Sequence, residues 1–238
     1  MNPPARGRGV EELDGSVLCA LPGGGRVLFT ARSRGNLSTL RGEDHQRGRA
    51  RRDEMSEELG LEWLCASRQV HGTVVQRVRS AAGAGGQAVA IDADGHATAL
   101  GGLGMMVLTA DCLPVALGSP GAVAMLHAGW RGLAAGVLEE GVLAMKELGG
   151  QDPITAVIGP GAGVCCYEVG PEVHAAFGDA RPARGNIDLA AIARGRLLAA
   201  GVEQVRDLGL CTICDERWFS HRREGAPAGR QAGVAWLS

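Results

Sequence analysis

Six short apolar runs crowd into the stretch between Trp63 and His127, and their lengths limit what the chain can build. Trp63 to Val70, Thr73 to Val78, Ala88 to Ile91, Met105 to Ala110, Leu113 to Leu117 and Ala122 to His127 are each four to eight residues long, with glycines among and around them. Runs of this length suit strands. Further strands are predicted at Arg26 to Ala31, Ile154 to Ile158, Gln204 to Leu210 and Gly233 to Trp236. Helices are fewer. The polar stretch from Ser33 leads into a short one ending at Gly60. The clearest runs from Arg131 to Leu148, with Leu133, Val137, Ala144 and Leu148 on one face and Gly149-Gly150 as the stop. Others are predicted from Glu172 to Phe177 and from an N-cap at Asp188 to near Gly201. Strands that arrive in clusters argue for a mixed α/β (α+β) domain of paired sheets with helices outside, not for regular βαβ alternation. One domain is expected over residues 26–238, with 1–25 a poorly ordered or peripheral segment.

A chain of 238 residues that is 45% hydrophobic and 21% charged can bury a sizeable core. Its net charge of -2, with no dominant block of like charge, provides no wide footprint for nucleic acid or an anionic membrane, so a small-molecule partner is expected. The opening MNPPARGRGVEEL has no apolar run after its positive charges, and nowhere do eighteen apolar residues run together. The expected location is the cytoplasm. There, seven cysteines read as thiols, ligands or nucleophiles before they read as bridges.

Three segments stand out as candidates for chemistry. QVHGTVV puts His71 at a strand end or turn, LTADCLPVAL sets Asp111 and Cys112 side by side ahead of Pro114, and MLHAGWRGLAAGV runs a strand into His127. Singly, each has an ordinary structural explanation. Together, two histidines and a cysteine at strand ends are the ligand types that bind zinc with a fourth position left for water. The same set could hold copper, with Met125 two residues before His127 on the same strand face. A structural zinc site through Cys211 and Cys214 is ranked lower, because the adjacent Cys165 and Cys166 look poorly spaced to complete it. HAGWRG offers an oxyanion the Arg131 guanidinium beside a helix start. IGPGAGVCCYEVG brings backbone and Tyr167 close to a ligand. Asp111 is the acid for proton transfer, provided the chain turns there. Asp94 and His96 form a weaker cluster to which no role is given.

FTAR, QVHG, TADCLPV, HAGWRGLAAGV, IGPGAGVCCYEVG, DLAAIARGRLLAAGV, CTICDERWFSHRREG and GRQAGVAWL occur in that order from about Val27 to the end of the chain. In these segments the sequence resembles the multicopper polyphenol oxidoreductase (laccase-like) family, also described as purine nucleoside phosphorylase or peptidoglycan editing factor. The resemblance implies a single αββα-type sandwich and a catalytic zinc on His71, Cys112 and His127, with copper as the alternative. It also implies substrate contacts from Arg32, Gln69, Arg131 and Tyr167. The implied activity is phosphorolysis of purine nucleosides, methylthioadenosine included, together with adenosine deamination. The alternatives are an amidase acting on a nucleotide-linked muramoyl amino acid and a copper polyphenol oxidase. For the oxidase, the six histidines His45, His71, His96, His127, His174 and His221 are too scattered to build a trinuclear cluster. The segment after FTAR, RGNLSTLRGED, departs from the family pattern.

Overall fold

The computed structural model describes residues 9–39, 44–80 and 91–238. In chain order the strands are β1 Val10–Leu13, β2 Ser16–Ala20, β3 Gly25–Phe29, β4 Trp63–Cys65, β5 Val75–Val78, β6 Gly95–Thr98 and β7 Leu103–Thr109. They continue with β8 Leu113–Ser119, β9 Ala122–Ala128, β10 Thr155–Ile158, β11 Glu168–Val169, β12 Gly185–Asn186, β13 Gln204–Asp207 and β14 Gln231–Leu237. The α-helices are α1 Asp44–Glu58, α2 Trp130–Ala135, α3 Val137–Glu147, α4 Pro171–Ala176, α5 Leu189–Ala199 and α6 His221–Glu224. Two six-stranded mixed sheets result, ordered β1-β2-β3-β14-β7-β4 and β13-β10-β8-β9-β6-β5, and β11 pairs separately with β12.

The sheets stack through one core. Val27, Phe29, Met105, Val107 and Ala235 from the first meet Ala116, Val123, Met125 and Val157 from the second. On the outer face of the second sheet, Leu117, Ala124 and Leu126 pack against Leu138, Val142 and Met145 of α3 and Ala193 and Leu197 of α5. On the outer face of the first, Leu28, Met106 and Val234 pack against Met55 of α1. This is a helix–sheet–sheet–helix sandwich. Its central strands are covered on both faces, and so β8, β9 and β14 are buried at every residue and read as mostly small and apolar runs instead of alternating ones. Glycine brings helix and sheet close together: a Cβ on Gly141 of α3 would lie 2.4 Å from Leu126 Cδ1.

Several expectations need correcting. Residues 10–25 are no peripheral segment, since β1 and β2 extend the first sheet and Val17, Leu18 and Cys19 are buried. The cause is the Asp14-Gly15 turn, with φ of 51° and 79°, which is the two-residue hairpin geometry that such a pair favours. The helix expected from Arg131 to Leu148 is two helices, because Gly136 at φ 107° ends α2 and starts α3. The strand expected from Trp63 to Val70 stops at Cys65, and the chain then leaves the ladder to wrap Asp94. Most of the predicted run Ala88 to Ile91 lies outside the described residues. The sequence reading missed β6 entirely, because His96 and Thr98 make it look polar although all four of its residues are buried. No helix among the described residues is long and apolar enough to cross a membrane.

Candidate metal centre

Three separate chain segments bring the His71, Cys112 and His127 side chains together. His71 sits between β4 and β5 at φ 61°, Cys112 follows Asp111 at φ 92° in the link from β7 to β8, and His127 lies near the end of β9 opposite Pro114. Their ligand atoms all lie within 4.8 Å of one another, with Cys112 Sγ 3.7 Å from His71 Nε2. The imidazoles meet edge to face, centroids 4.8 Å apart. Of three described non-glycine residues at positive φ, two are at this site, a conformation that persists only where the surroundings hold it.

Asp94 does that holding for the histidines. It is fully buried just ahead of β6, and its Oδ1 is 2.7 Å from His127 Nδ1 and accepts the His71 N–H at 2.9 Å. Its Oδ2 accepts the N–H groups of Gly72 at 2.7 Å and Val70 at 3.2 Å. One carboxylate thereby fixes the backbone of one ligand and the ring orientation of the other, leaving His127 Nε2 as the nitrogen for an ion. Burial pushes the Asp94 carboxyl up, but the His127 imidazole and the backbone donors outweigh it, and the acid stays below its ordinary range. Sequence reading noticed Asp94 without giving it a role, since only the fold shows that it touches both histidine segments.

Cys112 and His127 shift each other's proton affinity in opposite directions. Burial raises the Cys112 thiol, yet His127 and the hydrogen bonds from both imidazoles bring it down to about 6. Burial lowers His127, yet the Cys112 thiolate and Asp94 raise it to about 9. A cysteine driven toward the thiolate beside two imidazoles, with His127 releasing its Nε2 proton as an ion binds, is a donor set for a divalent transition metal, so these residues fit such an ion. Close packing also depends on the HAGWRG glycines. A Cβ on Gly129 would sit 2.6 Å from His71 Cδ2 and 3.1 Å from Cys112 Sγ, and one on Gly132 would sit 2.7 Å from the Gly72 carbonyl oxygen.

Residues 25–238 match the model of the family described as multi-copper polyphenol oxidoreductase laccase. The chain belongs to this family. A purine nucleoside phosphorylase of Xylella fastidiosa is 38% identical over 236 residues, covering 91% of this chain and 88% of that protein. One of Corynebacterium glutamicum is 35% identical, covering 89% and 94%. Among solved structures, YlmD of Geobacillus stearothermophilus superposes with a TM-score of 0.85 at 29% identity, covering 95% of this chain and 97% of that one. Neisseria meningitidis NMB0706 gives 0.80 at 33% identity, covering 92% and 96%. Membership in the laccase-like family and the His–Cys–His cluster together mark a metal site.

The other expected site residues divide into two groups. Cys112, Arg222, Asp111 and Arg131 each lie within electrostatic reach of Tyr167. Arg131 is exposed, its guanidinium 4.2 Å from the Trp130 ring centroid, and it has no ion pair among the described residues. The helix start beside it is weaker than its sequence implies, because α2 has only six residues. Asp111, read as a proton donor, has both oxygens engaged: Oδ1 by the Thr212 hydroxyl at 2.7 Å and Oδ2 by the Arg222 N–H at 2.6 Å. These bonds tie the Thr212 and Arg222 segments to the link that carries Cys112.

Gln69 and Arg32, expected at the substrate, are committed elsewhere. The Gln69 amide donates to the Leu108 carbonyl and accepts from the Leu108 N–H, both at 2.8 Å, so a ligand would have to displace backbone. Arg32 donates to the carbonyls of Glu216 and Trp218, pairs with Glu224 and lies over Phe219. Met125 is no copper ligand in this geometry. It shares the face of His127, but it is fully buried between the sheets, with its Cε lying 2.5 Å from where a Cβ on Gly233 would stand. Finally, Cys165 and Cys166, set aside on spacing, do join Cys211 and Cys214.

Proposed function

We propose that the protein is a zinc-dependent purine nucleoside phosphorylase that also deaminates adenosine. The observation that carries this is the Asp94-braced cluster of His71, Cys112 and His127 with an uncommitted arginine, Arg131, in the same electrostatic neighbourhood. Relatives named purine nucleoside phosphorylase support the phosphorylase part of this reading. A zinc ion on the three side chains would supply Lewis acidity at the reacting centre.

The chain's own groups bind and orient. Arg131 offers a planar fork for two oxygens of inorganic phosphate, and its stacking on Trp130 limits the rotamers it must surrender on binding. Tyr167 keeps its proton, because burial, the Cys112 thiolate and Asp111 raise its phenol above the ordinary value. Its Oη can therefore donate to an oxygen of the sugar or the phosphate. Asp94 holds the histidine geometry throughout. The cytoplasm suits a chain whose seven cysteines are all free thiols.

The test uses inosine and adenosine in parallel. Hypoxanthine release from inosine should require phosphate, and release without phosphate would make the enzyme a hydrolase instead. Arg131→Ala should slow phosphorolysis about a hundredfold, the cost of one charge-assisted contact, while deamination falls much less. Arg131→Lys should recover only part of the rate, because a point charge lacks the fork. Equal losses in both reactions would remove the phosphate assignment.

A further inference from the structure

Outside the centre described above, one cluster of ligating side chains is unused by the proposed reaction. β10 and β13 are parallel neighbours, paired from Thr155↔Gln204 to Ile158↔Asp207, so the loops leaving their carboxyl ends emerge side by side. The first loop carries Cys165 and Cys166, and the second carries Cys211 and Cys214. The loops are knitted together, Gly161 N–H to the Leu210 carbonyl at 3.1 Å and Thr212 N–H to the Gly161 carbonyl at 2.9 Å. The fit is close at Gly163, where a Cβ would lie 3.0 Å from Cys211 Cβ.

The four Sγ atoms lie within 4.8 Å of one another, with Cys214 Sγ 2.8 Å from Cys166 and 3.3 Å from Cys165. Four thiolates around zinc, each bonded at about 2.3 Å, stand about 3.8 Å apart, so small shifts would seat an ion. Adjacent cysteines share it because they lie in a turn, with the N–H groups of Cys166 and Tyr167 both reaching the Gly163 carbonyl at 3.0 Å. Side chains of neighbours in such a turn diverge by about 100°, not by the half-turn of a strand. Cys211 and Cys214 add a C-x2-C pair, the spacing that structural zinc uses.

We propose that Cys165, Cys166, Cys211 and Cys214 hold a second metal ion, a structural zinc in an all-thiolate site. Four sulfurs and no competing imidazole or carboxylate select a soft tetrahedral ion, and four protein ligands close the coordination. On binding, the thiols release their protons to solvent and the ion gains four sulfur bonds, with no change of oxidation state. The ion staples the two loops next to Thr212, whose hydroxyl holds Asp111 beside Cys112. The inference depends on the sulfur positions alone and not on the phosphorylase reading.

Metal analysis and cobalt titration of the full chain test it. Protein purified under reducing conditions without chelator should carry two zinc ions per chain. Cys112→Ala and the double variant Cys211→Ser/Cys214→Ser should each lose one and keep the other. Cobalt(II) added to reduced, metal-free wild-type chain should bind twofold. One of the two ions should show the intense thiolate charge-transfer absorption of a four-sulfur site, absent in the double variant. Cobalt binding to the reduced wild-type chain without the four-sulfur absorption would overturn the proposal whether or not the variants fold. So would a second ion that survives the double substitution, or iron with its visible chromophore in place of zinc.

Discussion

Two clusters of metal-binding side chains are built on different principles in the same sandwich. The His71, Cys112 and His127 set gathers at the ends of sheet strands, with Asp94 buried behind it and glycines pressed against it. The four cysteines sit on two loops, with Cys165 and Cys214 exposed. One is braced by Asp94 and offers three ligands. The other offers four, on loops that backbone hydrogen bonds already tie together. Open coordination on a stiff frame suits catalysis, and closed coordination on loops suits stapling.

Removing the frame should separate the two clusters most sharply. Asp94→Ala would leave three N–H groups and the buried His127 ring without their partner, a loss of roughly 3–5 kcal/mol in stability. Asp94→Asn, which keeps the shape but not the charge, should weaken metal binding at the histidine centre about 10- to 100-fold. The thiolate-rich ion should be untouched in the asparagine variant, as read by competitive chelation. Loss of both ions together would mean that the centres are one unit and break the contrast.

A smaller perturbation acts through contact alone. Gly129→Ala places a methyl group 2.6 Å from the His71 ring, and the shift it forces should cost about 1–3 kcal/mol and at least tenfold in affinity at the first centre. Normal metal binding in this variant would show that the centre is looser than its packing implies. The smallest effect on either site is expected at Gln69. Gln69→Leu should lower stability by about 1–3 kcal/mol through the unpaired Leu108 backbone, while the KM for nucleoside stays within about twofold. A large rise in KM with unchanged unfolding would return Gln69 to the substrate site.

Much of this molecule could be read from its sequence. The runs Met105 to Ala110, Leu113 to Leu117 and Ala122 to His127 became β7, β8 and β9, because a continuous apolar run covered on both faces leaves a signal in one dimension. The ligand types at His71, Cys112 and His127 were legible too, since metal chemistry restricts the side chains that can serve. The Asp14-Gly15 pair was a hairpin signal in plain view and could have recovered β1 and β2.

What only the tertiary structure decided depends on which loops meet. Asp94 looked idle until β6 was seen paired with β9, bringing its carboxylate under both the His71 turn and His127. Cys165 and Cys166 looked too close together to chelate until the parallel pairing of β10 with β13 delivered Cys211 and Cys214 to them. Gln69 and Arg32 looked free until the backbone groups they hold were in place. Local composition determines strands, turns and ligand types, because those depend on neighbours along the chain. Partnership between side chains tens of residues apart depends on strand order, which burial of both sheet faces selects for the chain as a whole.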